Sequence, residues 1–323
     1  MMYDLSVIVP IYNSEKYLAD TLDSVVNQTI FTKLKVILVN DGSTDDSKSI
    51  CEKYASCYSN IILINKTNGG VSSARNEGLN NVDTEFVTFL DSDDLVEKDY
   101  YEKTLNEIKK EECDIFITDF VKVFMNGKSK KYRSFFTKEY NDYYEIMIDF
   151  FSGVIGGQVV DKVFKSEIIK DVRFSIDYKI GEDMLFVYSL LKKARKVVMN
   201  TNISGYKYMV RSSSAMNGNF SEKFFDPAII SLFMYDDSKN DYVLKDYAYA
   251  HYIHESCKTV EYIYRHSAQN LFKEKVESML KSIRKYKITS AHKFLTKKQF
   301  YGFILMKFSP RIYLLFHQIM HIG

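Results

Sequence analysis

Phe86-Val87-Thr88-Phe89-Leu90-Asp91-Ser92-Asp93-Asp94-Leu95 is the stretch on which the fold turns. A short apolar run bounded by polar residues reads as a buried strand. Here the run ends directly in Asp91, Asp93 and Asp94. Three carboxylates at the mouth of a buried strand repel one another, and they are costly to desolvate unless a cation or hydrogen-bond donors compensate them. The commonest compensation is a hard divalent cation, Mg2+ or Mn2+, with a phosphorylated ligand completing its coordination. Taken alone, the motif reads more simply as a solvated Asp-rich turn that caps the next helix. The rest of the chain decides between the two.

Working outward, apolar runs alternate with amphipathic segments. Residues 5–9 read as a strand stopped by Pro10, and Ser14 as the cap of a helix whose Leu18, Leu22, Val25 and Val26 share a face. Residues 36–39 form a second strand, followed by the turn Asp41-Gly42-Ser43 and a helix to about residue 56, capped by Thr44 or Asp45. Residues 61–64 form a third strand, and Gly69-Gly70 precedes a helix over 71–79. The fourth strand covers 85–90, a helix covers 98–110, and a fifth strand covers 115–117. This alternation predicts an α/β, Rossmann-like, mostly parallel sheet covered by helices. Ligands of such sheets bind at the carboxyl ends of the strands. Tyr12 and Asn13, Asp41, Asn68 to Gly70, and Asp91 to Asp94 all fall there.

Four segments carry a resemblance. Ser6-Val7-Ile8-Val9-Pro10-Ile11-Tyr12-Asn13, Val39-Asn40-Asp41-Gly42-Ser43-Thr44-Asp45, Ala74-Arg75-Asn76-Glu77-Gly78-Leu79 and Phe89-Leu90-Asp91-Ser92-Asp93-Asp94 stand in the order and spacing of the family 2 inverting nucleotide-sugar glycosyltransferases. That resemblance implies the GT-A fold, a UDP-sugar donor and a divalent metal, Mn2+ or Mg2+. It covers residues 1–215 with falling specificity, and nothing beyond about 220 matches.

Asp41 is expected to accept a hydrogen bond from the uracil N–H, the alternative being an Asx-turn before a helix. Pro10 and Tyr12 are expected as a wall for the base. Arg75, near a helix start beyond Gly69-Gly70, suits a diphosphate. The resemblance places Asp91 on the nucleoside and Asp93 on the metal, with Asp94 as a further metal ligand, a supporting partner or the helix cap. The spacing does not separate Asp93 from Asp94. In Gly181-Glu182-Asp183 the resemblance implies Asp183 as the general base and Glu182 as an orienting group, although helix N-termini favour acids anyway. Asp161-Lys162-Val163-Phe164-Lys165 resembles a family segment with Asp in place of Asn, which makes Lys162 a phosphate contact or a pocket buttress. Tyr206 to Ser214 resembles another, in which Arg211 and Ser214 close over the diphosphate and exclude water. His251 and His254 share a helix face, but they read as a pair without a metal.

Composition is that of a globular protein, with 46% hydrophobic and 27% charged residues, 25 Tyr, 23 Phe and no Trp. Cys51, Cys57, Cys113 and Cys257 lack zinc spacing and read as reduced thiols of a cytoplasmic protein. Neither a signal peptide nor an apolar run long enough to span a membrane is expected. Residues 281–323 hold nine Lys or Arg and no acid, so the first 280 residues carry a formal −7 against the chain's +2. Pro310 divides this tail into two helices. Basic, aromatic and amphipathic, it suits peripheral contact with the inner face of an anionic cell membrane. A cap on the catalytic domain, or the contact of a homo-oligomer, is the alternative.

The expected organisation is therefore a GT-A catalytic domain over 1–218, made of a nucleotide-binding half (1–95) and an acceptor-side half (96–218). An α-helical C-terminal region (219–323) follows, containing the tail. The expected partners are a nucleotide-sugar donor and a saccharide or lipid-linked acceptor of surface polysaccharide synthesis, with no nucleic acid. A nucleotidyltransferase would need a Gly-rich basic phosphate loop after the first strand, and Tyr12-Asn13-Ser14 is not one. A nucleic-acid-binding protein acting through the tail would not need its long aliphatic residues.

Overall fold

The apolar runs of the first ninety residues become the parallel half of an eight-stranded sheet. The structure is a computed structural model describing residues 3–211 and 221–321, with side chains as far as residue 315. Its strands are β1 (Leu5–Ile11), β2 (Leu34–Asp41), β3 (Ile61–Lys66), β4 (Phe86–Phe89), β5 (Leu95–Val96), β6 (Ile115–Ile117), β7 (Phe120–Phe124), β8 (Ser129–Lys131), β9 (Thr137–Tyr140), β10 (Lys162–Lys165), β11 (Val197–Asn200) and β12 (Tyr206–Val210). Its helices are α1 (Leu18–Val26), α2 (Ser47–Cys57), α3 (Val71–Leu79), α4 (Tyr100–Glu111), α5 (Tyr143–Phe151), α6 (Ser166–Ile169), α7 (Glu182–Leu191), α8 (Asp226–Ser238), α9 (Lys245–Arg265), α10 (Lys273–Lys285), α11 (Ile288–Phe294), α12 (Lys297–Phe308) and α13 (Pro310–His321).

The chain divides into two compact units. The first comprises residues 1–143, 157–177 and 182–217. Its main sheet runs β3-β2-β1-β4-β10-β6-β11-β9. β3, β2, β1 and β4 are parallel, and β10 then enters antiparallel to both β4 and β6. The sheet is mixed α/β as expected, but its parallel character is confined mainly to the nucleotide-binding half. Strand order reverses at β1, the switch point at which α/β sheets place ligands. A second sheet, β5-β12-β7-β8, is laid down directly after Asp94.

Two local expectations are corrected. β1 is not stopped by Pro10 but continues through it to Ile11, pairing Pro10 with Val39. The Leu90 N–H donates to the Ile8 carbonyl, so Ile8 faces β4. Two residues on, the Pro10 nitrogen faces the same way, beyond the end of β4, and no ladder bond is lost. Ser14 does not cap α1. Its carbonyl accepts from the Tyr17 and Leu18 N–H groups, and its own N–H donates to Ser47 Oγ at the start of α2.

The second unit comprises residues 144–156, 178–181 and 218–323. It takes in most of α5 and is otherwise the helical region α8–α13. The boundary expected near 217–219 lies outside the described residues. α9 is its spine, and Ile253, Val260 and Ile263 sit in a core with Phe225, Ile283, Phe303 and Met306. Pro310 opens α13, but the tail is not two helices: it holds the end of α10 and then α11, α12 and α13, with a capping box of Thr296 and Gln299 starting α12. His251 Nδ1 lies 3.0 Å from the Phe151 carbonyl oxygen. No helix among the described residues is long and apolar enough to cross a membrane. All four cysteines are unbridged, and only Cys57 is exposed.

Candidate active site

The loops after β1, β2 and β4 meet, and short polar side chains stitch them together. Asn13, at φ 49°, accepts from the Thr44 N–H at 2.8 Å and donates its own N–H to Ser43. Asn tolerates this left-handed conformation better than most residues. The Ser14 hydroxyl lies 2.6 Å from the Ser92 hydroxyl, and Thr21 donates to the Ser92 carbonyl. The carboxylate turn is thus tied to α1 and α2. Pro10 is buried within β1 and offers little face, whereas Tyr12 is 51% exposed.

Asp41 is buried and already engaged. Its carboxylate accepts from Lys66 Nζ at 2.6 Å, from the Gly70 N–H at 2.7 Å and from the Gly69 N–H at 3.0 Å. Gly70, at φ 86°, turns these N–H groups inward just before α3. Lys66 stands directly across from Asp41 in the β2–β3 register, a pairing that spacing alone does not reveal.

Arg75 is the hub. Buried on α3, its guanidinium reaches Asp183 at 2.6 Å, Asp91 at 3.0 Å and Glu182 at 3.2 Å, with the Phe174 ring beneath it. One cation thus faces three carboxylates drawn from the β4 turn and the N-terminus of α7. Burial first, and mutual repulsion second, push Glu182 up to about 7. Asp183 is also raised, by burial, against the pull of Arg75. Arg75 Nε is buried without an acceptor among the described residues, leaving a donor for a ligand oxygen.

Asp93 and Asp94, inseparable by spacing, lie in different surroundings. Asp94 is buried, with one oxygen accepting from the Tyr206 hydroxyl at 2.6 Å and the other from the Met209 N–H at 2.7 Å. Burial, then Asp91, pushes it up to about 8. Asp93 is 43% exposed, and burial raises its carboxyl too, against Arg211 at 3.4 Å. Arg211 also donates to the Asp93 carbonyl and lies over the Tyr17 ring. Ser214 lies outside the described residues.

Among the described residues no three His, Cys, Asp or Glu side chains are gathered as a metal site. A divalent cation fits this turn only through Asp93, with the second Asp91 oxygen and ligand phosphates completing it. That sparse protein share is normal for Mg2+. The charge balance favours a cation, because Asp91, Asp93, Glu182 and Asp183 outnumber Arg75 and Arg211.

Lys162 is not a phosphate contact here. Fully buried, its ammonium donates to Asp161 at 2.7 Å and to the Gln158 carbonyl, and Arg133 grips the other Asp161 oxygen at 2.8 Å. This network stands behind Asp183, whose charge it helps to hold.

The comparisons with known proteins show the family and the fold. The family model for glycosyl transferase family 2 matches residues 6–173. The minor teichoic acid biosynthesis protein GgaB of Bacillus subtilis is 34% identical over 234 residues, covering 71% of this chain and 26% of its own length. A poly(ribitol-phosphate) beta-glucosyltransferase of Bacillus spizizenii is 29% identical over 218 residues, covering 66% of this chain and 33% of its own length. The chain thus spans about a quarter to a third of the length of these relatives. The structure of S. aureus TarS 1–349 in complex with UDP-GlcNAc superposes with a TM-score of 0.64 at 22% identity, covering 96% of this chain and 88% of that one, a likeness of fold.

Proposed function

The chain belongs to glycosyl transferase family 2, and from that premise we propose that it moves a sugar, with inversion, from a UDP-sugar to a hydroxyl of a saccharide or lipid-linked acceptor in surface polysaccharide synthesis. The observation that carries the reading is the Arg75 hub, which holds the β4 carboxylate turn and the α7 acids around one guanidinium. The names of GgaB and the poly(ribitol-phosphate) glucosyltransferase support a cell-surface polymer as product.

Asp183 takes the proton of the acceptor hydroxyl as its oxygen attacks the anomeric carbon. The bond from that carbon to the diphosphate breaks, and UDP departs with the electron pair. Positioned general bases contribute roughly 10²–10⁴-fold. Glu182 orients the acceptor, Asp91 and Tyr12 hold the nucleoside, Asp41 shapes the pocket through the Gly69-Gly70 turn, and Arg211 closes beside the diphosphate. A Mn2+ or Mg2+ ion at Asp93, when bound, neutralises charge on the leaving diphosphate. Asp94 supports the turn from behind, and Lys162, held by Asp161, buttresses Asp183. The tail exposes Tyr301, Phe308 and Ile312 among basic residues, which supports peripheral contact with an anionic membrane.

UDP release from a panel of UDP-sugars, with and without EDTA, tests the reading. Asp183→Asn should lose transfer by roughly 10²-fold or more while retaining UDP affinity. Unchanged turnover in the variant would remove Asp183 as base, and EDTA-insensitive turnover would remove the metal.

A further inference from the structure

Residues 120–138 contain no Asp or Glu but hold Lys122, Lys128, Lys130, Lys131, Arg133 and Lys138. β7 and β8 build the outer edge of the second sheet from this stretch, and the register gives the charge a direction. Lys122 stands opposite Lys130 across β7–β8, and Tyr208 stands opposite Lys122 across β12–β7. Opposed residues share a face, as do residues two apart on a strand. The row Tyr208–Lys122–Lys130 therefore lies on the face that also carries Tyr206 and Phe120. Tyr206 is the residue that donates to Asp94, and the Met209 N–H donates to the same carboxylate. The row thus starts beside the carboxylate turn and runs outward across two strand spacings, about 10 Å.

Like charges directly opposed destabilise a sheet, so Lys122 facing Lys130 needs an account. Two other cations near this sheet are matched: Lys207, on the other face, lies 3.3 Å from Glu97, and Arg133 is held by Asp161. Among the described residues no carboxylate pairs with Lys122, Lys128, Lys130 or Lys131. The neighbours on the row's own face are instead aromatic, with Lys122 over the Tyr132 ring at 5.3 Å and Tyr132 stacked on Phe120 at 4.5 Å, while Lys131, opposite Val121, belongs to the other face. Tyr132, Phe135, Phe124 and Met125 are exposed. Unmatched ammonium groups in a row, interleaved with rings that offer flat faces to a polyol or sugar, form a surface for an extended anion rather than for a single phosphate.

We propose that the Tyr208–Lys122–Lys130 row is the binding track of a phosphodiester-linked acceptor chain, with sugar or polyol phosphate repeats, whose end to be glycosylated lies at Asp183, which Arg75 joins to the Asp91–Asp94 turn. The inference rests on the transferase reading only for the word acceptor. Each phosphate bridging the track offsets the Lys122–Lys130 repulsion, and the aromatic faces cover the uncharged units between.

Fluorescein-labelled oligo(glycerol phosphate), titrated by anisotropy into the full chain without donor, is the test. The wild type should bind it more tightly than a neutral dextran oligomer, and less tightly as salt rises. Lys122→Gln with Lys130→Gln should weaken binding by about 10-fold or more and flatten the salt dependence by between one and two phosphates' worth. Lys130→Glu alone, on the exposed edge strand, should act the same way without perturbing the fold. UDP affinity, measured in parallel, should stay at the wild-type value in all three proteins. Equal oligomer binding by the variants, or wild-type binding no tighter than that of dextran, overturns the track. So does lysine-dependent binding to phosphatidylglycerol vesicles without binding to the oligomer. Failure of the wild type to bind any UDP-sugar would instead overturn the transferase reading, and the track would stand as a polyanion site.

Discussion

Arg75 shows how much one side chain can organise. Its guanidinium is buried against three carboxylates, and the two on α7 lie more than a hundred residues along the chain. Removing one partner of a buried ion network leaves the others uncompensated, at about 3–5 kcal/mol. Arg75→Met is therefore expected to lose most of that stability in urea unfolding and to abolish transfer. Arg75→Lys should not restore either, because a point charge cannot serve Asp91 and Asp183 through separate nitrogens. Glu182 supplies a pH signature. Its carboxyl is raised to about 7 in the folded chain, chiefly by burial, against about 4.3 for a free side chain. The folded state then binds the proton more tightly, so this group's contribution is fully present below about pH 4.3 and is lost as pH rises through about 7. The melting temperature should accordingly fall between pH 5 and pH 8, and Glu182→Gln should shallow that slope. An unaltered slope in the variant would place the titration elsewhere.

Among the elements, α3 bears most directly on the site because it carries Arg75. It lies hard against β1: a Cβ at Gly78 would meet Ile8 Cγ2 at 2.5 Å. Gly78→Val therefore forces the helix off the sheet, and overpacking of this kind costs about 1–3 kcal/mol. Denaturant unfolding should register that loss, and because Arg75 sits one turn earlier, UDP-sugar turnover should fall more steeply than stability alone accounts for. The residues 71–79 helix was legible from the Gly69-Gly70 break before it and the alternation of elements, and the strand that ends in the carboxylates from its apolar run. Which face α3 turns to β1 was not read from the sequence; the close approach of Gly78 to Ile8 is a tertiary fact. The engagement of Asp41 by Lys66 was not readable, because it depends on the β2–β3 register. Pro10 misled because a proline's tolerance in a strand depends on which neighbour its nitrogen faces, and that is a property of the sheet.

Taken whole, the molecule is two units whose stabilities answer to pH differently. In the helical unit His254 is held down to about 4 by burial, against about 6.5 for a free side chain. Its contribution to stability is present above pH 6.5 and is lost as pH falls towards 4, the opposite sign to that of Glu182. Circular dichroism should show the helical signal of the chain weakening to denaturant over that acid range, with His254→Gln blunting the change. The chain has no Trp, so tyrosine emission is the second probe. The sequence by itself determined the alternation of strand and helix, the acidic turn, the Glu182-Asp183 pair and the break at Pro310. Each is written within a dozen neighbouring residues as periodicity, charge or backbone restriction. Only the tertiary structure decided that Arg75 unites Asp91 with Asp183, that Asp94 turns inward while Asp93 turns out, and that Lys162 is a buried prop. Those outcomes depend on which segments are brought together across long stretches of chain and on how much water is left beside each charge, and local sequence encodes neither.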